Sequence, residues 1–328
     1  MIGTAARALG ALVGASLLAG CAARGPLLPE AVPPSAPPAV ELAAVPFFPQ
    51  QAFQCGPAAL ASVLVHAGVD VTPEALAPQV YLPERRGSLQ LELVAAARRH
   101  GRIPVTIEPE PAALLAEVAA GRPVLVLQNL RLATWPAWHY AVAIGYDAER
   151  DVVLLRSGTT ARLATPAPEF LRTWRLGGSW AFVALAPGEL PASDDPRRYL
   201  GAVAAMEHVA DADTLIRAYR AALERWPGNF AARFGLANAL RAGGDLAGAE
   251  SIYRALLAER PGEAAVINNL ADLLVARRCA DEAMALLDRT LVGEVPENLR
   301  PVLEQTRTEA LAARGGAGAA CTPSAPAT

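Results

Sequence analysis

The sequence predicts an α+β domain followed by an all-α domain of helical repeats. Between residues 43 and 188, apolar segments with helical spacing come first and short β-type segments follow as sequential hairpins. This order argues against a doubly wound parallel sheet. Farther along, Pro227, Pro261 and Pro296 each follow a helical segment, at intervals of 34 and 35 residues. Such a period is typical of stacked helix pairs and places the repeat domain at about residues 199–296.

Length and composition exclude several classes of protein. The chain has 328 residues, which suffice for two modest domains with extended ends. Its formal net charge is −3, so there is no basic excess to hold a nucleic-acid backbone, and we expect no nucleic-acid partner. The four cysteines, Cys21, Cys55, Cys279 and Cys321, are too scattered for a zinc site, and we expect no metal or cofactor.

The N-terminus has the features of a secretory signal. Arg7 precedes an apolar segment, Ala8–Ala19, that is too short for a comfortable membrane span and ends in the residues LAGC. This ending resembles a bacterial lipobox, which implies that residues 1–20 are removed and that Cys21 is diacylated. Because alanine rather than aspartate follows the cysteine, the resemblance favours an outer-membrane anchor that faces the periplasm. A plain secretory signal or an uncleaved anchor is the alternative.

The next segment, residues 21–42, is rich in proline and alanine. Such a composition favours an extended chain without a core of its own. We therefore expect this segment to be a tether between the lipid anchor and a folded domain at residues 43–188.

The elements of that domain can be assigned in order. A helix begins at Cys55 and ends at Gly68, a second occupies Pro73–Ala77 after a capping Thr72, and a third lies between a capping Ser88 and Gly101. The other predicted elements are a short apolar strand at Leu42–Phe48, a strand at Ile103–Ile107, a helix at Pro111–Ala120, a strand at Pro123–Gln128, a hairpin of HYAVAIGY and DVVLLRSG that turns at Asp147–Arg150, and a last strand at Trp180–Leu185.

Cys55 is the candidate nucleophile. It lies in the first turn of a helix, where free N–H groups and the helix dipole favour a thiolate, so we expect a lowered thiol pKa. Gly56 next to it would let a substrate backbone approach closely. His139, at the start of an apolar strand, is the candidate base. The other three histidines, His66, His100 and His208, lie at helix ends or in the repeats and fit the role less well.

An acyl-transfer site also needs donors for an oxyanion. The backbone N–H of Cys55 is one. A glutamine side chain just upstream can be the other, and Gln50, Gln51 and Gln54 all qualify by composition.

Three segments, VPFFPQQAFQCGPAALASVL, GRPVLVLQNL and HYAVAIGYD, together resemble the C39-like cysteine peptidases, which have a papain-like fold. The similarity to lipoprotein members with appended repeats is closer still. The resemblance implies hydrolysis of a peptide or protein substrate, with Cys55 as nucleophile and His139 as base. It also implies Gln50 as the oxyanion donor, with Gln51 as the alternative.

One position departs from the family pattern. The family usually has an aspartate or asparagine at the end of the strand that follows the histidine strand, where it orients the imidazole. Here that strand ends in Leu155-Arg156-Ser157-Gly158, and Ser157 or a backbone carbonyl is left to accept the ring N–H. A catalytically weak or inactive scaffold that binds peptides is therefore an alternative function. A cell-wall amidase or transpeptidase of related fold is another, although its usual sequence context is not evident.

The helical segments at 199–296 resemble tetratricopeptide repeats. The middle repeat is the clearest, with small residues at Ala237 and Ala249 where two helices cross, and the first is degenerate, with Val203 and Leu215 at those positions. The resemblance implies a protein partner on a groove that includes Asn238, Asn268 and Asn269, unless the repeats only pack against the first domain.

The two remaining cysteines suggest a link at the C-terminus. An oxidising compartment would let Cys279 and Cys321 form a disulfide, which would hold a C-terminal helix at Glu297–Arg314 against the array.

Overall fold

The computed structural model describes residues 26–50 and 54–314. The predictions that concern the signal segment at residues 1–20, acylation of Cys21, the role of Gln51 and the pairing of Cys321 lie outside the described residues. Within the described part, no helix combines the length and the apolar character of a membrane span.

The first domain contains one antiparallel sheet. In the described residues it has seven strands, in the spatial order β2-β7-β3-β4-β5-β6, with β1 paired to the far end of β4. The strands are β1 (Ala39–Glu41), β2 (Ile103–Thr106), β3 (Val124–Asn129), β4 (Trp138–Asp147), β5 (Val152–Ser157), β6 (Thr160–Pro166) and β7 (Ala181–Leu185). Sequential neighbours such as β3, β4 and β5 pair directly, which confirms the α+β layout with hairpins rather than a parallel sheet.

Helices cover both faces of this sheet. They are α1 (Leu28–Ala31), α2 (Cys55–His66), α3 (Pro73–Val80), α4 (Gln90–Arg99), α5 (Pro111–Ala119) and α6 (Ala167–Leu176). Alternate residues of β4 face opposite sides, as the period of a strand requires. Tyr140 and Val142 pack with the apolar residues of α2, whereas Ala141 and Ala143 pack with those of α5 and α6.

Several local predictions are wrong. Residues 42–48 do not form the expected strand, and the strand at this end of the domain is β1. Ser88 does not cap α4: the helix follows Leu89 without a side-chain cap, and the Ser88 hydroxyl is buried without a hydrogen-bond partner among the described residues. Strand β6 and helix α6 have no counterpart in the sequence prediction. Their segment carries Pro166 and Pro168, and Pro168 lies in the first turn of α6, where a missing N–H costs nothing.

Residues 26–41 do not form the expected free tether. The backbone N–H groups of Leu27 and Leu28 both donate to the Asp151 carboxylate, each at 2.9 Å, and Leu28 is buried in the apolar core. The Tyr146 hydroxyl donates to the carbonyl of Pro37 at 2.9 Å. A proline-rich composition indicated an extended segment, but contacts with residues more than a hundred positions away hold it on the domain.

The second domain is a stack of antiparallel helices. It comprises α7 (Pro196–Ala204), α8 (Ala212–Arg225), α9 (Phe230–Ala242), α10 (Leu246–Glu259), α11 (Ala264–Ala276), α12 (Ala280–Val292) and α13 (Arg300–Ala313). Ala237 and Ala249 are fully buried at the crossing of α9 and α10, as their small size predicts. The first pair, α7 and α8, is irregular because α7 has only nine residues.

The segment between the domains is held from both sides. The backbone N–H of Ala192 donates to the buried Glu117 carboxylate at 2.8 Å, and the Arg225 guanidinium of α8 donates to the carbonyl of Pro191 at 2.7 Å. Ser193 donates to Glu108 at 2.7 Å. One apolar cluster runs from the sheet face under α5 and α6 into the repeats, so the repeats pack against the first domain.

Candidate active site

A cavity of about 800 Å³ opens at the start of β4 and contains all three residues predicted for catalysis that the structure describes. Cys55 enters it from the first position of α2, His139 from the second position of β4, and Gln50 from the segment before α2. The rest of the lining is partly apolar, with Leu127 of β3 and Trp138 of β4. Residues separated by up to 89 positions in the chain thus meet in one cleft.

Cys55 is held at the N-terminus of α2 by the residues around it. Gln54 is the residue before the helix, and it lacks a side-chain cap bond, so its side chain does not occupy the first N–H groups of α2. Gly56 is required for a reason other than the one predicted: a Cβ there would lie 2.3 Å from the Ser88 hydroxyl oxygen. Glycine lets the Ser88 segment, rather than a substrate, pack against the residue that follows Cys55.

The electrostatics of Cys55 also differ from the prediction. Burial raises the pKa of the Cys55 thiol, and hydrogen bonds with the backbone of Tyr140, Gly56 and Cys55 itself lower that pKa by less. The cost of desolvating a thiolate therefore exceeds the stabilisation by the helix terminus. Cys55 rests as a thiol, and it is the free cysteine of the described residues.

His139 has a defined hydrogen-bond partner. Its Nε2 lies 2.9 Å from the Ser157 hydroxyl oxygen, so Ser157 takes the place at which an aspartate or asparagine was expected from the family resemblance. Burial lowers the pKa of His139, and the imidazole is neutral at rest. Because Nε2 is engaged by Ser157, Nδ1 is the nitrogen left to receive a proton from the thiol.

Gln50 is fixed by its neighbours in the pose of a donor. Its side-chain oxygen accepts the Gly158 N–H at 3.1 Å, and its Nε2 donates to the carbonyl of Tyr140 at 3.3 Å. The Gln50 N–H also donates to the carbonyl of Gly158, at 3.0 Å. An amide nitrogen carries two hydrogens, so one N–H of Gln50 is left for a ligand in the cavity.

Three further residues build the site, although sequence reasoning did not select them. Tyr140 binds Gln50 through its carbonyl, and its hydroxyl donates to the carbonyl of Ser88 at 3.2 Å. Gly158, with a φ of 58°, turns the chain so that its N–H and carbonyl both meet Gln50. Arg156 donates to the carbonyl of Val45 and so holds the segment that leads to Gln50. The only sequence signal was their position next to His139 and Ser157.

The other candidates lie elsewhere. Gln54 is absent from the described lining of the cavity, which favours Gln50 as the donor, and Gln51 is outside the described residues. His66 Nε2 lies 3.0 Å from the carbonyl of Gly121. His100 Nε2 lies 3.2 Å from the Gln79 amide nitrogen. His208 is exposed in the repeats.

The asparagines predicted for a groove on the repeats bind other residues of the chain. The Asn238 carbonyl oxygen accepts from the Tyr253 hydroxyl at 2.7 Å and from Asn269 at 2.9 Å. Asn268 accepts from Thr306 of α13 at 2.8 Å. Cys279 is disulfide-bonded, but its predicted partner Cys321 is outside the described residues.

The arrangement fits covalent acyl transfer by a thiol. A thiol, a neutral imidazole and two N–H donors surround one space, which are the groups that nucleophilic attack on a carbonyl needs. Among the described residues, no cluster of histidine, cysteine, aspartate and glutamate is suited to hold a metal ion.

Comparisons with known proteins agree with the prediction of two domains. Residues 42–179 match the model of the Peptidase_C39 like family, and residues 240–292 match a tetratricopeptide repeat model. Among curated proteins, no sequence matches this chain.

Solved structures of similar proteins include a C39-like peptidase from Bacillus anthracis, with 21% identity over 45% of this chain and 97% of that one, and a TM-score of 0.38. Another is a double glycine motif protease from an AMS/PCAT transporter in complex with its leader peptide, with 21% identity over 43% and 90% and a TM-score of 0.33. A third is the peptidase domain of Streptococcus ComA, with 19% identity over 43% and 98% and a TM-score of 0.36.

The sheet, the helix that begins at Cys55 and the two family matches lead to one assignment. The chain combines an α+β domain similar to the C39-like peptidases, at residues 42–179, with C-terminal helices that match tetratricopeptide repeats.

Proposed function

We propose that this protein is a cysteine peptidase that cleaves a peptide or protein substrate, with Cys55 as nucleophile, His139 as base and Gln50 as oxyanion donor. The observation that carries the proposal is that these three side chains line one cavity. Ser157, hydrogen-bonded to the imidazole, acts through His139 and is a positioning residue.

The chemistry follows from the neutral resting pair. As the Cys55 sulfur attacks the scissile carbonyl carbon, its proton moves to His139, because a thiolate is costly in this buried site before attack begins. The N–H groups of Cys55 and Gln50 receive the oxyanion. His139 then gives the proton to the leaving amine, and the acyl group remains on Cys55 as a thioester. A water molecule, deprotonated by His139, hydrolyses the thioester and restores the thiol.

The setting of the reaction is part of the proposal. We infer that Cys21 carries the lipid, that the anchor lies in the outer membrane, and that the peptidase domain faces the periplasm. The LAGC sequence at Cys21 and the alanine that follows it support this inference. Acylation would be tested by the mass of the mature N-terminal peptide, with a Cys21→Ser variant as control. An unmodified Cys21 in the membrane fraction would exclude it.

A peptide-binding scaffold without turnover is the second candidate. Two observations favour it: burial raises the pKa of the Cys55 thiol, and Ser157 cannot stabilise an imidazolium as a carboxylate would. The cleft and the repeats would then bind peptides or protein partners without cleaving them.

One experiment separates the two candidates. The purified chain would be incubated with a proteome-derived peptide mixture, and the new termini would be identified by mass spectrometry. We expect new termini that are lost in Cys55→Ala and in His139→Ala and retained in His66→Ala, which removes a histidine outside the cavity. The same termini with and without Cys55, or none in a folded protein, would exclude the peptidase.

A further inference from the structure

One wall of the catalytic cavity is formed by residues 82–90, which we call the arginine wall. The backbone N–H of Leu82 donates to the carbonyl of Gly87 at 2.8 Å and closes a tight loop. Within it, Arg86 has a φ of 47°, a left-handed conformation that non-glycine residues rarely adopt. Arg85 and Arg86 are exposed, and both line the cavity together with Cys55 and His139.

The arginine wall is fixed to the residues that carry the catalytic groups. Ser88 lies so close to Gly56, the residue after Cys55, that a larger residue there would collide with it. On the other side, the hydroxyl of Tyr140, the residue after His139, donates to the carbonyl of Ser88 at 3.2 Å. The two guanidinium groups are therefore carried by a segment that contacts the residues directly after Cys55 and His139.

The wall contains one carboxylate, Glu84, next to the two arginines, but Glu84 is exposed and does not line the cavity, so the positive charge that faces the cavity is not balanced by a described residue. No aspartate or glutamate lines the cavity, and none of the ion pairs between described residues involves Arg85 or Arg86. Elsewhere in the same domain, Arg162 pairs with Glu41. Two adjacent cations facing a partly enclosed space favour an anionic ligand, and arginine suits a planar carboxylate in particular.

We propose that Arg85 and Arg86 bind a carboxylate side chain of the substrate, so that the cleft selects peptides with an aspartate or glutamate close to the scissile bond. This inference rests on the proposed function and assigns a substrate class to the same site. Leu89 and Trp138, which also line the cavity, would cover the apolar part of the same peptide.

The test uses probes that report on the cleft without requiring turnover. Short peptides with an N-iodoacetyl group would alkylate Cys55: its sulfur displaces iodide, forms a thioether and loses its proton to the buffer through His139. Each peptide would carry a single glutamate at one of the first six positions from the reactive group, and its matched control would carry glutamine there. Adduct formation on the Cys55 peptide would be followed over time by mass spectrometry.

The expected result is a preference for glutamate over glutamine of about tenfold at one or more positions, equivalent to ~1.4 kcal/mol. The double variant Arg85→Gln/Arg86→Gln should bring this ratio close to one. Arg150→Gln removes an exposed arginine at the opposite end of β4 and should leave the ratio unchanged. Equal rates in the wild-type chain, or a ratio that survives in the double variant, would overturn the proposal.

A second measurement needs no variant. Raising the salt concentration should reduce the glutamate preference of the wild-type chain, because screening weakens exposed charge interactions, and a salt-independent ratio would contradict the proposal. Peptide hydrolysis without a glutamate preference would refute only this inference. A glutamate preference in alkylation without any hydrolysis would refute only the peptidase.

Discussion

The polar side chains of the cleft that contains Cys55 and those of the repeat domain differ in how they are hydrogen-bonded and paired. In the cleft, Arg85 and Arg86 line the open cavity, and the buried Ser88 hydroxyl has no hydrogen-bond partner in the part of the chain that the structure describes. In the repeats, Tyr253, Asn238 and Asn269 bind one another. Many of their arginines are also paired, as Arg254 is with Glu250 and Glu282.

The difference indicates where a ligand is needed. Polar groups that are satisfied within the fold contribute to its stability, whereas groups left without partners beside a cavity gain theirs when a ligand binds. The cleft therefore has the properties of a ligand site. The asparagines of the repeats that were predicted to bind a partner instead form hydrogen bonds with other residues of the chain.

The largest expected effect concerns the cleft. Gln50→Ala should lower kcat by roughly 10²–10³-fold, because it removes an oxyanion donor. Peptide cleavage at saturating substrate would measure this change. Gln54→Ala is the matched control, since Gln54 precedes the same helix, and it should leave kcat nearly unchanged. Equal losses in both variants would remove the oxyanion role from Gln50.

The next effect concerns the packing of the repeats. A Cβ at Gly235 would lie 2.2 Å from a ring carbon of Tyr219, so Gly235→Ala should lower the free energy of unfolding by ~1–3 kcal/mol. Thermal unfolding would report a lower Tm, while kcat per folded molecule should not change. Gly262→Ala, where a Cβ would meet nothing within 4 Å, is the control. A Tm that is unchanged in Gly235→Ala would contradict the tight packing.

Substitutions at Ser157 test whether its hydrogen bond to His139 contributes to catalysis. Ser157→Ala should lower kcat about tenfold, because the imidazole loses its hydrogen-bond partner; this is less than the roughly 10²–10⁴-fold typical of acid–base groups, since Ser157 acts only through His139. Ser157→Asp should raise kcat, because a carboxylate raises the pKa of His139 and stabilises an imidazolium beside a thiolate. Ser62→Ala, which removes another buried hydroxyl of the same domain, is the control.

The pH dependence of Cys55 alkylation by iodoacetamide would report the protonation states of Cys55 and His139 in the wild-type chain and in Ser157→Asp. Since burial raises the pKa of the thiol, the rate in the wild-type chain should rise only above the ordinary thiol range. Ser157→Asp should add reactivity at mildly acidic pH, where the thiolate–imidazolium pair forms. A wild-type thiol that already reacts fully at acidic pH would contradict the neutral resting pair.

The smallest effect concerns the hydrogen-bonded asparagines of the repeats. Asn269→Ala removes one hydrogen bond to Asn238 and should cost about 0.5–1.5 kcal/mol of stability. The kcat for a short peptide should stay the same. A clear fall in kcat, at a temperature where the variant is folded, would show that the repeats contribute to catalysis in the cleft.

Signals in the sequence were sufficient for the main elements and for three residues that line one cavity. The apolar period after Cys55 predicted α2 closely, and the spacing of Pro227 and Pro261 predicted the repeats. Cys55 and His139 were selected by residue type and order and Gln50 by the family resemblance, and the structure brings all three into one cavity. Their catalytic roles stay predictions until the variants are measured.

The properties that sequence reasoning missed depend on contacts between distant segments. The direction of the thiol pKa shift depends on burial by the folded domain, which outweighs the helix terminus that the sequence revealed. The arginine wall depends on the left-handed Arg86 and on Tyr140, more than fifty residues away. Residues 26–41 were predicted to be a tether because Asp151, which accepts their hydrogen bonds, lies far along the chain.

The Asp151 contact has a consequence for how the protein would sit at a membrane. Asp151 follows β4 at the end opposite His139, and the ten residues of that strand span ~30 Å. Cys21 precedes Leu27, whose N–H binds Asp151, by six residues. A fully extended chain of that length spans at most ~20 Å. If Cys21 carries the lipid, the acyl chains and the cleft are attached at opposite ends of the same strand. The cleft would then bind peptides from the aqueous space, at a distance from the lipid anchor.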